Sequence, residues 1–173
     1  MKDIIINMGT IFEKIRNYET DKLWTHIIIH HSLTKDGLVV DFTAIKKYHM
    51  EVMGWSDCGY NWLIEYVNNQ LTYIEGRPMT VFGAHTKGMN HCAIGICLVG
   101  NYDMFEPSHV QLFYLASLCR ELMHKFDIPI YNVLGHHSFA EKSCPGELFN
   151  MVKLRNYISG NTEKYLNPKT SYL

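Results

Sequence analysis

The chain has 173 residues, 47% of them hydrophobic and 19% charged, which suits one domain around a single core and excludes a disordered chain. Its formal net charge is −1 and no basic run exceeds Lys46-Lys47, so the concentrated positive surface that nucleic acid requires is missing. No segment approaches the roughly 20 apolar residues that span a bilayer. The apolar stretch after Met1 is too short for a secretory leader, so synthesis in the cytoplasm without a signal peptide is expected; a monomer is expected as well.

In chain order, residues 10–20 carry weak helical spacing. Trp24 to His31 is apolar and β-branched and reads as a buried strand that ends in a polar cluster. Asp41 or Thr43 caps a helix bearing Ile45, Tyr48, His49 and Val52, which stops near Gly54. Tyr60–Val67 and Leu71–Glu75 form a hairpin around Asn68-Asn69-Gln70. Ala93 to Val99 is continuously apolar, as expected of a central strand covered on both faces. Ser108 with Gln111 is a capping box, opening a long helix through Val110, Phe113, Leu118, Leu122 and Phe126 that stops before Pro129. A short strand, Tyr131–Leu134, and a helix from Glu147 to about Ile158 complete the list. Strands interleaved with helices predict an α/β fold, a central mixed β-sheet flanked by helices.

Five cysteines, at 58, 92, 97, 119 and 144, form an odd set without paired spacing, so most are expected to be small buried hydrophobes rather than a disulfide framework. Chemistry concentrates in three places: His30-His31 at the end of the first strand, His136-His137 after the late strand, and Cys144 eight residues beyond His136. Strand ends are where α/β sheets commonly hold their sites. Two imidazoles and a thiolate suit a tetrahedral Zn2+ with its fourth position left for water. Spacing alone leaves the metal open, because scattered His and Cys are more often unrelated than co-ligands. Strand parity leaves the choice within each histidine pair open too, since either face of the strand can look into a cleft.

Taken in order, these residues sit inside longer motifs: Ile28-Ile29-His30-His31-Ser32, Gly54-Trp55-Ser56-Asp57-Cys58-Gly59-Tyr60-Asn61-Trp62, Gly83-Ala84-His85-Thr86-Lys87-Gly88-Met89-Asn90, Ile94 to Gly100, Gly135-His136-His137 and Lys142-Ser143-Cys144-Pro145-Gly146. The sequence thereby resembles the zinc-dependent N-acetylmuramoyl-L-alanine amidases, which include phage amidase-type lysozymes and peptidoglycan recognition proteins, and is most similar to the phage branch. The resemblance covers roughly residues 24–158, leaving 1–23 and 159–173 as terminal extensions. It implies Zn2+ on His30, His136 and Cys144, catalysis by Tyr60 and Lys142, and His85 and Asn90 as substrate-binding residues, with His31 and His137 as structural neighbours. Lys87 is a weaker candidate for the groove, and Asp57 and Glu141 are the acidic residues available to support the site. Trp55 and Trp62 are expected in the core rather than as sugar platforms.

The implied activity is hydrolysis of the amide between N-acetylmuramic acid and L-alanine in bacterial peptidoglycan, as in a phage or prophage endolysin that reaches the cell wall after release. The alternative is a peptidoglycan-binding module without turnover. Retention of Cys144 favours the enzyme, because relatives that only bind typically lack that thiolate. Two departures stand out: Ala93 where a serine is usual, and Met89 where an aromatic is frequent.

Overall fold

The computed structural model describes residues 8–33 and 42–162. Five strands form one mixed sheet in the order β3-β2-β4-β1-β5. They are β1 (His26–His31), β2 (Trp62–Val67), β3 (Gln70–Glu75), β4 (Ala93–Leu98) and β5 (Val133–Gly135). β1 runs parallel to both β4 and β5, β2 runs parallel to β4, and β2 and β3 make an antiparallel hairpin. Asn68 and Asn69 form the turn of that hairpin, both with positive φ (50° and 62°), and Val67 pairs directly with Gln70. Two left-handed residues give the twist that a two-residue hairpin needs, and asparagine tolerates that backbone better than most side chains.

The sheet divides two apolar layers. Ile27, Ile29, Trp62, Ile64, Ile94, Ile96 and Leu98 face the larger one, and helices α1 (Met8–Arg16), α3 (His109–Phe126) and α4 (Met151–Ile158) cover them. Residues one step out of phase, Leu63 and Cys97, face a smaller layer with Ile45 of α2 (Phe42–Lys47) and Cys58. This alternation is the period-2 pattern of strands, and β4 is buried along its whole length because both faces are covered. α1 inserts Ile11 and Ile15, both fully buried, into the larger core. Burying each is worth about 1.5–3 kcal/mol. The exposed Arg16 pair with Glu121 adds little beside that.

The capping box at Ser108 is present, and α3 ends on Asp127 in the left-handed conformation. Leu118 and Leu122 are buried as expected, with Leu112, Leu115, Ala116, Ser117 and Cys119, whereas Val110 and Phe113 are exposed. At 100° per residue Val110 falls on the side of the helix opposite the buried stripe, and Phe113 is also turned away from its centre.

Several element ends shift, among them that of β2, which starts at Trp62 rather than Tyr60. Trp24 is buried but precedes β1, whose start is set by Thr25 and His26 donating to the Cys92 carbonyl. Residues 130–132 form a tight turn after Pro129, with Asn132 N–H donating to the Pro129 carbonyl, so β5 begins at Val133. α4 starts after its cap Asn150, whose side chain accepts the Lys153 N–H, and not at Glu147, whose N–H donates to the Asp103 carboxylate in the preceding loop. Thr43 lies inside the first turn of α2 rather than at its cap, and Asp41 falls outside the described residues. A wider turn, Tyr48–Val52, continues α2 as far as Met53 and Gly54 and buries His49.

Candidate metal centre

Because β1 and β5 are parallel neighbours with Ile29 opposite Gly135, the next residue of each, His30 and His136, emerges side by side at the carboxyl edge of the sheet. Their rings lie 4.6 Å apart between centroids. The loop after β5 returns to place Cys144 Sγ 3.6 Å from His30 Nδ1. One donor atom from each of His30, His136 and Cys144 fits within a 4.8 Å span. With Zn–N near 2.05 Å and Zn–S near 2.3 Å, a tetrahedral angle sets nitrogen and sulfur about 3.6 Å apart, so the spacing of His30 and Cys144 fits that ion.

Parity on β1 sends His31 to the opposite face. There it is buried, its ring stacks on Tyr102, and its Nδ1 accepts the Tyr102 N–H at 3.3 Å. His137 is exposed, and its backbone N–H donates to the Cys144 carbonyl at 2.7 Å, bracing the returning loop. Asp103 braces the same loop from the other side, accepting from Ser143 Oγ at 2.9 Å and from Glu147 N–H at 2.8 Å.

The electrostatics suit a cation. Burial, followed by the neighbouring imidazoles and Lys142, holds His30 well below its ordinary pKa, and burial and Lys142 lower His136. Both rings therefore stand neutral near pH 7, each with a lone pair to offer. Burial pushes the Cys144 thiol up to about 11, while the His31 backbone N–H and Lys142 oppose that rise. A dication reverses the balance, because a coordinated thiol gives up its proton.

The three donors open into a cleft of about 640 Å³ whose wall includes Tyr60, Lys142, His49, Trp55 and His85. The Tyr60 ring packs 5.1 Å from that of His30 and 5.4 Å from that of His49. Burial, then the nearby thiols of Cys97, Cys144 and Cys58, raises its phenol well above the ordinary value, so it stands as a neutral donor. Trp62 is fully buried as expected of a core residue, whereas Trp55 is half-buried against the cleft. Cys58, Cys97 and Cys119 are fully buried free thiols.

His85 and Asn90, expected together in the groove, have different surroundings. His85 borders the cleft but is buried, and Asn90 Oδ1 accepts from the backbone N–H groups of His85 and Thr86 at 2.9 and 2.8 Å. Asp57 is occupied by Lys46 at 2.7 Å. His49, which the sequence placed only on a helix, is a cleft residue: its Nδ1 accepts the Gly59 N–H at 3.2 Å. The wide turn that rotates it inward carries no periodic signal. Asp103 had no signal at all, since its partners lie 40 and 44 residues away.

The fold and site thus define a class, an α/β domain with a three-donor pocket at the carboxyl edge of its parallel strands, open to a cleft. Comparison with known proteins narrows it. Residues 20–147 match the family model described as N-acetylmuramoyl-L-alanine amidase, and the chain belongs to that family. Among its relatives, the endolysin of Escherichia phage T7 is 36% identical over 126 residues, covering 69% of this chain and 78% of that protein. Peptidoglycan-recognition protein SC2 of Drosophila melanogaster is 32% identical over 136 residues, covering 75% and 72%. Among solved structures, the amidase LysC from Clostridium intestinale URNW matches with a TM-score of 0.71 at 26% identity, over 83% of this chain and 94% of that one.

Proposed function

We propose that this chain hydrolyses the amide between N-acetylmuramic acid and L-alanine of bacterial peptidoglycan, as a Zn2+-dependent endolysin. The observation that carries the reading is the convergence of His30, His136 and Cys144 at zinc spacing on the floor of an open cleft that Tyr60 and Lys142 border. Family membership and the likeness to a phage endolysin supply the substrate class. Bound zinc supplies a water of lowered pKa and polarises the scissile carbonyl. Tyr60, kept neutral by burial, donates its phenolic hydrogen to the oxygen on which negative charge develops. The Lys142 ammonium adds positive charge at the same wall and delivers a proton to the leaving amine of L-alanine. The cleft is large enough to hold a sugar and the first residues of a stem peptide.

The test is mass spectrometry of purified muropeptides incubated with the protein, with and without a chelator. Expected products are split between the lactyl group and L-alanine, lost on chelation and restored by zinc. Intact muropeptides beside a folded, zinc-loaded chain would replace the enzyme with a binding module.

A further inference from the structure

His85 is held in a space the backbone leaves for it. A Cβ at Gly95 of β4 would lie 2.5 Å from the His85 ring, and one at Gly83 would also come within 2.5 Å. Asn90 pins the backbone of His85 and Thr86 from the other side. The ring therefore has one place to be, and its two nitrogens face different partners.

Nε2 of His85 lies 3.1 Å from the Ala93 carbonyl oxygen. A carbonyl only accepts, so Nε2 carries the hydrogen and the lone pair of the neutral ring is on Nδ1. That Nδ1 lies 3.0 Å from Nε2 of His30. Were His30 Nε2 bare, two lone pairs would confront each other in a buried site; it must donate. The hydrogen of His30 then sits on Nε2, and its lone pair sits on Nδ1, the atom 3.6 Å from Cys144 Sγ. The Thr86 hydroxyl, 3.0 Å from His85 Nδ1 and 3.4 Å from His30 Nε2, can donate to the former or accept from the latter, and both roles fit this assignment.

We propose that His85 is a positioning residue that locks His30 in the Nε2-protonated tautomer and so presents its Nδ1 to the metal. This rests on the zinc reading above. Metal-bound histidines usually donate their second N–H to a carboxylate, carbonyl or water. Here the partner is a second imidazole, which passes the hydrogen bond on to a main-chain carbonyl. Both nitrogens of His85 are engaged inside the protein, so its effect on a bound ligand runs through His30 rather than through a hydrogen bond of its own.

The test pairs nitrogen chemical shifts of the metal-free, 15N-histidine-labelled chain with zinc affinity from competition against a chromophoric chelator. In the wild type, His30 should show a protonated Nε2 and a bare Nδ1 before any metal is added. His85→Leu should mix the His30 tautomers and weaken zinc binding about 10–100-fold, the usual cost of losing a ligand's outer partner. His85→Asn, whose carboxamide oxygen stands near the place of Nδ1, should recover affinity to within a few-fold of wild type. A wild-type His30 protonated on Nδ1 overturns the proposal. So does a folded His85→Leu variant that binds zinc as tightly as wild type, or a folded His85→Asn variant as weak as His85→Leu. If His85→Leu fails to fold, the wild-type shifts and His85→Asn still decide. A wild-type chain that takes no zinc sinks the metal reading, and the shifts of the metal-free chain then judge the His30–His85 relay alone.

Discussion

Cys144 is where the chemistry is most exposed to a single atom. On the proposed zinc reading, exchanging its sulfur for oxygen in Cys144→Ser removes the one donor that would become anionic on the metal, and a hydroxyl is a poor ligand beside a thiolate. Zinc affinity should fall by more than the roughly 10–100-fold that loss of an outer partner costs, read by chelator competition. Full retention of the metal would remove Cys144 from the ligand set. Lys142 makes the opposite case. It is exposed at the cleft wall, and among the described residues no hydrogen bond of its ammonium braces the fold, so Lys142→Ala should keep zinc and melting temperature. Turnover should drop by about 10²–10³, because the variant loses both the positive charge at that wall and the proton for the leaving amine. Unchanged kinetics on muropeptides would exclude it from the reaction. The identity of these residues was legible in the sequence because each sits in a dense local motif. Their mutual distance was not, since His30 and Cys144 are 114 residues apart.

Among elements, α1 shows how an extension outside the sequence motifs becomes part of the core. Its weak helical spacing hides two fully buried isoleucines that meet α3 and β3. Ile15→Ala should destabilise the chain by roughly 2–5 kcal/mol, measured by urea unfolding, because the cavity lies in a layer that cannot collapse freely. Zinc affinity should survive, as the donors lie on the other face of the sheet. A loss below about 1 kcal/mol would show that α1 is only loosely seated. The hairpin and the capping box of α3 were readable because both are local: Asn68 and Asn69 make the turn by themselves, and Ser108 meets Gln111 three residues on. The loop before α4 was not, because Asp103 holds the Glu147 N–H from 44 residues away.

For the whole molecule, the burial of neutral imidazoles sets the response to acid. His49 is lowered by burial and then by Arg77, with Gly59 N–H on its Nδ1 and the Trp55 and Tyr60 rings against it, and His26 is lowered by burial. With folded values below the ordinary 6.5, the unfolded chain binds more protons under that pH, so stability rises with pH there. Their contribution is whole above 6.5 and is lost as pH falls toward the folded values. Urea unfolding of the metal-free protein between pH 7 and 5 should show this slope, and His49→Asn, which keeps an acceptor for Gly59, should make it shallower by the share that His49 contributes. An equal slope in the variant would assign the acid response to other groups.

The sequence by itself determined the candidate donors, the order of the motifs, the family they resemble, and an α/β sheet with β4 buried through its length. Each of these is written in residue identity or in a period of two or 3.6, which neighbours along the chain display without help. The resemblance already named His30 and His136 within their pairs, but only the tertiary structure brought them to the thiol, turned His49 into the cleft, and gave His85 Nδ1 His30 rather than open space beside it. The reason is register. Pairing β1 between β4 and β5 places Ile29 against Gly135 and Ile28 against Gly95, and a slip of one residue would exchange His30 with His31 at the pocket. That choice is made by packing both faces of the sheet at once, a condition no local stretch of sequence contains.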